Sequence, residues 1–255
     1  MKRCSQITKN GEYVKQVVQM ILDSNYLVIL TGAGISTESG LADFRGDDGI
    51  WTRRDKGLPP PKSKHFDEVQ PNLGHQAIVK LQNLGLLKFL ISQNVDNLHL
   101  RSGIKPELIA ELHGNYKYMK CIDCDKRYHR DEIGWDREIH GRGFRTEKSL
   151  PNQPVCPSCN GRIISSIVNF KDPMPQKEMK LAKKHTNQCD LMLVVGSSLM
   201  VQPAANLPNK AKKNGAKLVI LNINPTPLDD KADLKLDVKI GEFLDKIVTK
   251  IETNL

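Results

Sequence analysis

The stretch that most constrains the fold is Thr31 to Gly46, which reads Thr-Gly-Ala-Gly-Ile-Ser-Thr-Glu-Ser-Gly-Leu-Ala-Asp-Phe-Arg-Gly. The apolar run Tyr26 to Leu30 leads straight into it. An apolar run closing on glycines reads as a buried parallel strand ending in a tight turn. Gly32 and Gly34 carry no Cβ to hold a phosphate off the backbone, so the N–H groups of a following helix can face a pyrophosphate. Two departures separate the stretch from a dehydrogenase loop. Thr37 stands where the usual dinucleotide fingerprint has its third glycine, and no acidic residue closes a second strand about twenty residues on. Asp43-Phe44-Arg45-Gly46 instead sets an aromatic face and a fixed cation beside the loop. Trp51 follows closely and reads either as a core anchor or as a wall of the same site.

The rest of the chain alternates strands and helices. Val14, Val17, Val18, Ile21 and Leu22 recur at helical spacing before the first strand. A helix is predicted over His75 to Leu84, stopped by Gly85. Lys88 to Ser92 is the second strand. It ends in Gln93-Asn94-Val95-Asp96-Asn97-Leu98-His99, a polar cluster that either lines a ligand edge or caps a helix through Asp96 or Asn97. Glu111-Leu112-His113-Gly114 follows a short apolar stretch. Ile163 to Phe170 resumes the sheet, a short helix follows it, and Leu191 to Val195, Leu218 to Leu221 and Leu236 to Ile240 complete the strands. Phe243, Leu244, Ile247, Val248 and Ile251 mark a terminal amphipathic helix. This alternation gives an α/β fold with a doubly wound, Rossmann-like parallel sheet.

Residues 117–162 interrupt it with a polar segment holding Cys121, Cys124, Cys156 and Cys159 in the pattern Cys-x2-Cys-x31-Cys-x2-Cys. Two such knuckles supply four thiolates to one tetrahedral Zn²⁺, a closed structural site that replaces the core a small segment lacks. His129 or His140 in place of one cysteine is the alternative ligand set. The expected organisation is therefore 1–116 and 163–255 as a discontinuous nucleotide-binding unit, with 117–162 as an inserted zinc-ribbon-like module.

Six cysteines mostly in Cys-x-x-Cys pairs, and a start without an apolar h-region, point to an intracellular protein, cytoplasmic or nuclear. Cys4 and Cys189 remain as plain thiols. No apolar stretch approaches the roughly 20 residues that span a bilayer. The formal charge is +9 and the pI about 9.2, with lysines densest over Lys171 to Lys184 and Lys210 to Lys217. That charge suits nucleic acid or a chromatin surface, or is simply a lysine-rich solvated face.

Four strand ends carry small or amide residues: Gly32 and Gly34, Gln93 with Asn94 and Asp96, Gly196 with Ser197 and Ser198, and Asn222 with Asn224. A parallel sheet sets these on one edge, where glycines suit a pyrophosphate and amides suit ribose hydroxyls. Gly-Ala-Gly-Ile-Ser, Asp-Phe-Arg-Gly, Gln-Asn-Val-Asp, His-Gly, the paired cysteines and Gly-Ser-Ser-Leu occur in that order along nearly the whole chain. In this the chain resembles the sirtuins, the NAD-dependent protein deacylases. Gly49-Ile50-Trp51, Leu207-Pro208 and the Asn222 to Asp233 segment resemble class IV, the branch containing nuclear chromatin deacylases.

The resemblance implies that Gly32, Ala33, Gly34, Thr37, Asp43, Phe44, Arg45 and Trp51 bind NAD. Gln93, Gly196, Ser197, Ser198, Asn222, Asn224 and Ile240 would complete that site, and Asn94 and Asp96 would line a nicotinamide pocket. It makes His113 the catalytic base, with Asn94 organising the first step. Val168-Asn169-Phe170 and Val201-Gln202-Pro203 would clamp an extended acyl-lysine peptide between two strands. The implied reaction begins when the acyl oxygen displaces nicotinamide at ribose C1′. His113 then takes a ribose hydroxyl proton, and lysine and O-acyl-ADP-ribose are released. Protein mono-ADP-ribosyl transfer from the same site is the alternative, and a non-catalytic binding module ranks below both. The chain departs from the family pattern at Lys171, where many members have Gly, and at Asn97, which follows the Asp in place of a common Gly.

Overall fold

The computed structural model describes residues 2–254, with side chains from Gly11 onward. Helix α1 (Lys2–Leu22) leads into β1 (Leu27–Thr31), and a 3₁₀ segment, Ala33–Ser39, follows it. Then come α2 (Ile50–Asp55), α3 (Leu73–Asn83), β2 (Leu87–Ser92), α4 (Leu98–Ser102) and β3 (Ile109–Glu111). A second group holds β4 (Tyr118–Cys121), β5 (Arg127–His129), α5 (Arg137–His140) and β6 (Ile163–Ser165). The chain ends with α6 (Gln176–Gln188), β7 (Leu191–Val195), α7 (Asn206–Lys213), β8 (Lys217–Leu221), β9 (Leu234–Leu236) and α8 (Ile240–Glu252). The side chain of Cys4 lies outside the described residues.

Six strands form one parallel sheet in the order β3-β2-β1-β7-β8-β9. The order reverses between β1 and β7, the point at which doubly wound sheets open a ligand crevice. β1 is buried along its whole length, as a strand covered on both faces must be. Leu27 and Ile29 face the layer built by α1, α3 and α8, while Val28 and Leu30 face the layer of α6 and α7. In α8, Phe243, Leu244, Ile247, Val248 and Ile251 are all buried, as their spacing predicts.

The register places the strand ends. Glu111 pairs with Ser92, Ser92 with Thr31, Thr31 with Val195, Val195 with Leu221 and Leu221 with Leu236. The carboxyl ends therefore stop on one row. The residues just past that row, including Gly32, Gln93, Gly196 and Asn222, emerge side by side.

The structure corrects the sequence reading at several places. The element after the glycine turn is a 3₁₀ segment rather than an α-helix. Ile163–Ser165 does not rejoin the parallel sheet: it pairs antiparallel with β4, in a three-stranded sheet of order β5-β4-β6. Residues 166–170 lie outside any strand. The last strand ends at Leu236, and Ile240 opens α8. The apolar stretch before Leu112 forms β3, and α2 and α7 add two helices that the apolar pattern does not signal.

Candidate functional site

Two glycines explain how the loop is built. A Cβ on Gly34 would sit 2.8 Å from Gly196 Cα. Gly196 itself has φ +63° and lies against the Ile35 amide, where an added Cβ would be 2.5 Å away. The turns after β1 and β7 thus pack backbone to backbone, and Gly34 N donates to Gly196 O at 2.9 Å. Glycine is needed here for the approach of two chain segments. That differs from the expected reason, clearance for a phosphate.

Beside this contact lies a cavity of about 310 Å³. Gly32, Ala33, Gly34, Thr37, Asp43, Phe44, Arg45, Gly196, Ser197, Ser198, Asn222, Asn224 and Ile240 all line it, so thirteen of the seventeen cofactor-site residues expected from the sequence meet in one place. Gly46, Asp47 and Ile223 line it as well and were not expected. Asn222 Nδ2 donates to Asn224 O at 2.6 Å, and Asn224 Nδ2 to Asp47 Oδ1 at 3.2 Å. The cavity is thereby tied to the Asp43–Asp47 loop. Burial raises the pKa of the Asp43 carboxyl, partly offset by the Gly46 amide that donates to it.

A second cleft, about 610 Å³, shares Ala33 and Phe44 with the first. Asn94 and Asp96 line it, both more than nine-tenths buried. Ser36, which sequence reasoning passed over, joins them: its Oγ donates to Asp96 Oδ2 at 2.6 Å and accepts from Asn94 Nδ2 at 3.3 Å. Its only signal was its place in the glycine-rich loop. Asn94 Oδ1 is buried with no partner among the described residues and so offers an acceptor. Asp96 Oδ1 accepts from Leu98 N, while Asn97 holds the N-cap position of α4 at φ +63° with no side-chain cap bond. Burial raises the pKa of the Asp96 carboxyl, and the Ser36 hydroxyl opposes it.

The His113 ring is fixed from behind. Its Nδ1 lies 2.9 Å from Gln93 O, a carbonyl that can only accept. The ring therefore carries its proton on Nδ1, and Nε2 is left as the acceptor. Burial lowers the His113 pKa, and the Gln93 carbonyl offsets part of that. Gln93 Nε2 donates to Ser197 Oγ at 2.8 Å, which joins the His113 support to the β7 turn. Gly114, at φ +77°, would place a Cβ 1.9 Å from Ser166 O, so the turn after His113 admits no side chain.

The expected peptide-clamping segments, Val168 to Phe170 and Val201 to Pro203, are loops in the structure and line neither cavity. One of them touches the site: Val168 N donates to His113 O at 3.0 Å. Trp51 lies between two aromatic rings, 4.8 Å from Phe44 and 5.4 Å from Phe170, with the Arg45 guanidinium 4.9 Å from its own ring. It connects the glycine-loop side to the Val168 loop rather than anchoring the core.

Cys121, Cys124, Cys156 and Cys159 bring four sulfurs within 4.8 Å of one another. Cys121 Sγ is 3.5 Å from Cys159 Sγ, and Cys124 Sγ is 3.6 Å from Cys156 Sγ. Metal–sulfur bonds of about 2.3 Å in a tetrahedron give edges of about 3.8 Å, so the donor set fits one zinc ion. His129 and His140 are engaged in local turns instead, through Asp131 N and Asp136 N.

Residues 61–203 match the Sir2 family. A Rhodopseudomonas palustris protein named NAD-dependent protein deacetylase is 39% identical, over 92% of this chain and 96% of its own. The chain belongs to the Sir2 family. The Arabidopsis thaliana protein named NAD-dependent protein deacetylase SRT1 is 40% identical over 95% of this chain, which spans 49% of that plant protein's length. A solved Sir2 structure described as carrying a p53 peptide and NAD⁺ superposes with a TM-score of 0.73 at 34% identity, over 94% of this chain and 99% of that one.

Proposed function

We propose that this sirtuin is an NAD-dependent protein-lysine deacylase acting on acylated-lysine proteins, and that it belongs to class IV. The observation that carries the reading is the meeting of the 310 Å³ cavity with the Asn94–Asp96 cleft, beside a histidine whose tautomer leaves Nε2 free to accept a proton. NAD, when bound, supplies a ribose carbon from which nicotinamide can leave. The loop turns, Ser198, Asn222 and Asn224 hold the dinucleotide. Phe44 screens the reacting carbon from water, and Asn94 and Asp96 orient the nicotinamide end. In such a dry site fixed dipoles stabilise developing charge strongly. His113 Nε2 takes the ribose hydroxyl proton, and the Gln93 carbonyl steadies the imidazolium that results. The Val168 and Val201 loops hold the peptide, which enters as the added strand between them.

In this reading residues 117–162 form the metal-bearing module within 1–116 and 163–255, with a third strand drawn from Ile163–Ser165. Its one zinc ion is structural. The protein works inside the cell, in the nucleus or cytoplasm, and its basic face contacts nucleic acid or chromatin. No described helix is long and apolar enough to cross a membrane.

Mass spectrometry after incubation with NAD and acetyl-, myristoyl- or unmodified-lysine peptides tests the activity. The expected products are nicotinamide, free lysine peptide and O-acyl-ADP-ribose, formed only with acylated peptides. A protein carrying ADP-ribose would replace this reading with mono-ADP-ribosyl transfer, and no nicotinamide release from any peptide would refute both.

A further inference from the structure

Behind the His113 turn, away from both cavities, is a polar network that the site does not otherwise use, with Glu111 and Asn115 buried, Glu178 partly buried and Arg127 reaching in from the surface. Glu111 ends β3 and is only 5% exposed. Its Oε2 accepts from Arg127 Nη2 at 2.7 Å, and its Oε1 accepts from Asn115 Nδ2 at 2.6 Å. Glu111 N donates to Glu178 Oε2 at 3.1 Å, and Arg127 Nη1 lies 3.8 Å from Glu178 Oε1. Arg127 thus stands between two carboxylates of the parallel-sheet layer, yet it belongs to β5 of the small sheet. Its guanidinium also lies 4.6 Å from the Tyr118 ring. Holding one buried and one partly buried carboxylate side by side is unfavourable without the cation between them, and the planar guanidinium fixes their geometry.

The position matters because Glu111 and Asn115 bracket His113. Gly114 N donates to Glu111 O at 3.0 Å, closing the turn, and Asn115 N donates to Ser166 Oγ at 3.1 Å. Displacing Glu111 would displace the ring that must meet a ribose hydroxyl. We infer that Arg127 is a positioning residue for the reaction: through Glu111 and Asn115 it ties the small sheet to the turn that carries His113. This rests on the deacylase reading for its kinetic consequence, but not for its structural one.

The test uses the full chain in wild type, Arg127→Met, Arg127→Lys and the double variant Arg127→Met/Glu178→Gln. The double variant leaves one carboxylate without its cation instead of two, and keeps the test available if Arg127→Met does not fold. In the folded Met-containing proteins kcat for deacylation should fall about 10- to 100-fold, the scale set by a displacement of order 1 Å at a reacting group. KM for NAD should stay near wild type, and nicotinamide exchange should fall less than deacylation. Arg127→Lys should recover part of kcat. The independent readout is the His113 ring in NMR, whose Nδ1–H resonance and titration midpoint should move in the Met-containing proteins and move less in the Lys variant. An unmoved His113 resonance, or wild-type kcat in a folded Met-containing protein, would overturn the inference. Absence of turnover in the wild type would instead overturn the deacylase reading, leaving the NMR result to decide the role of Arg127.

Discussion

Acid should weaken this protein through a histidine far below its surface. His75 on α3 is fully buried, its ring 5.0 Å from that of His99, and its Nε2 has no partner among the described residues. Burial lowers its pKa from 6.5 to about 4. The unfolded chain therefore binds a proton at a pH where the folded chain still refuses it. The stability held in the neutral ring is complete above 6.5 and is lost as pH falls through about 4. At roughly 1.4 kcal/mol per pK unit the full effect is about 3 kcal/mol. Between about pH 7 and about pH 5 the loss is about 2 kcal/mol by the same linkage. Urea unfolding of wild type and His75→Phe at both pH values measures it. The variant loses the Asn72 contact at any pH, but it has no proton to bind at this site. His99 and the four thiolates add acid sensitivity of their own, so the quantity to read is the change with pH of the difference between the two proteins. A constant difference would refute the reasoning, because the buried ring would then be titrating as it does when unfolded.

Three further outcomes are expected. His113→Ala should keep nicotinamide exchange while net deacylation falls by at least about 10²–10⁴-fold, the usual contribution of a general base. Asn94→Ala should lose both rates together, and an equal loss of both in His113→Ala would move His113 to the first step or to binding. Cys156→Ser should lose bound zinc and unfold the small sheet, since structural zinc contributes on the order of 10 kcal/mol to such modules. A metal-free variant that resists proteolysis within residues 117–162 and keeps full activity would count against that. If the basic face binds nucleic acid, affinity should drop steeply with salt as counterions are released. A salt-insensitive interaction, or none at low salt, would leave only a solvated lysine-rich surface.

The parallel sheet was legible because its strands are apolar on both faces and end on glycines or amides. Those ends bring most of the cofactor-site residues with them. What escaped the sequence depended on partners far along the chain. Ile163–Ser165 is as apolar as a parallel strand, and only its pairing with Lys120 and Cys121 sends it to the other sheet. Ile240 continues the alternation Leu236-Asp237-Val238-Lys239 but lies at a helix start, where the Gly241 amide donates to Glu38. Ser36 gained its place through Asp96, sixty residues on. Trp51 was ambiguous until Phe170, more than a hundred residues away, supplied its second neighbour.

The antiparallel pairing of β4 with β6 has an evolutionary side. Met119 lies opposite Ser165, so the chain enters and leaves the small sheet through adjacent strands. The two strands act as a stem, and everything between them is a graft upon it. Closing a longer loop over a fixed stem costs only about 0.6 kcal/mol for each doubling of length. The segment between His129, where β5 ends, and Cys156 is thus free to gain or lose whole turns while the glycine turns, Arg127 and His113 stay in register. The reaction chemistry and the shape presented beside it can diversify on separate clocks.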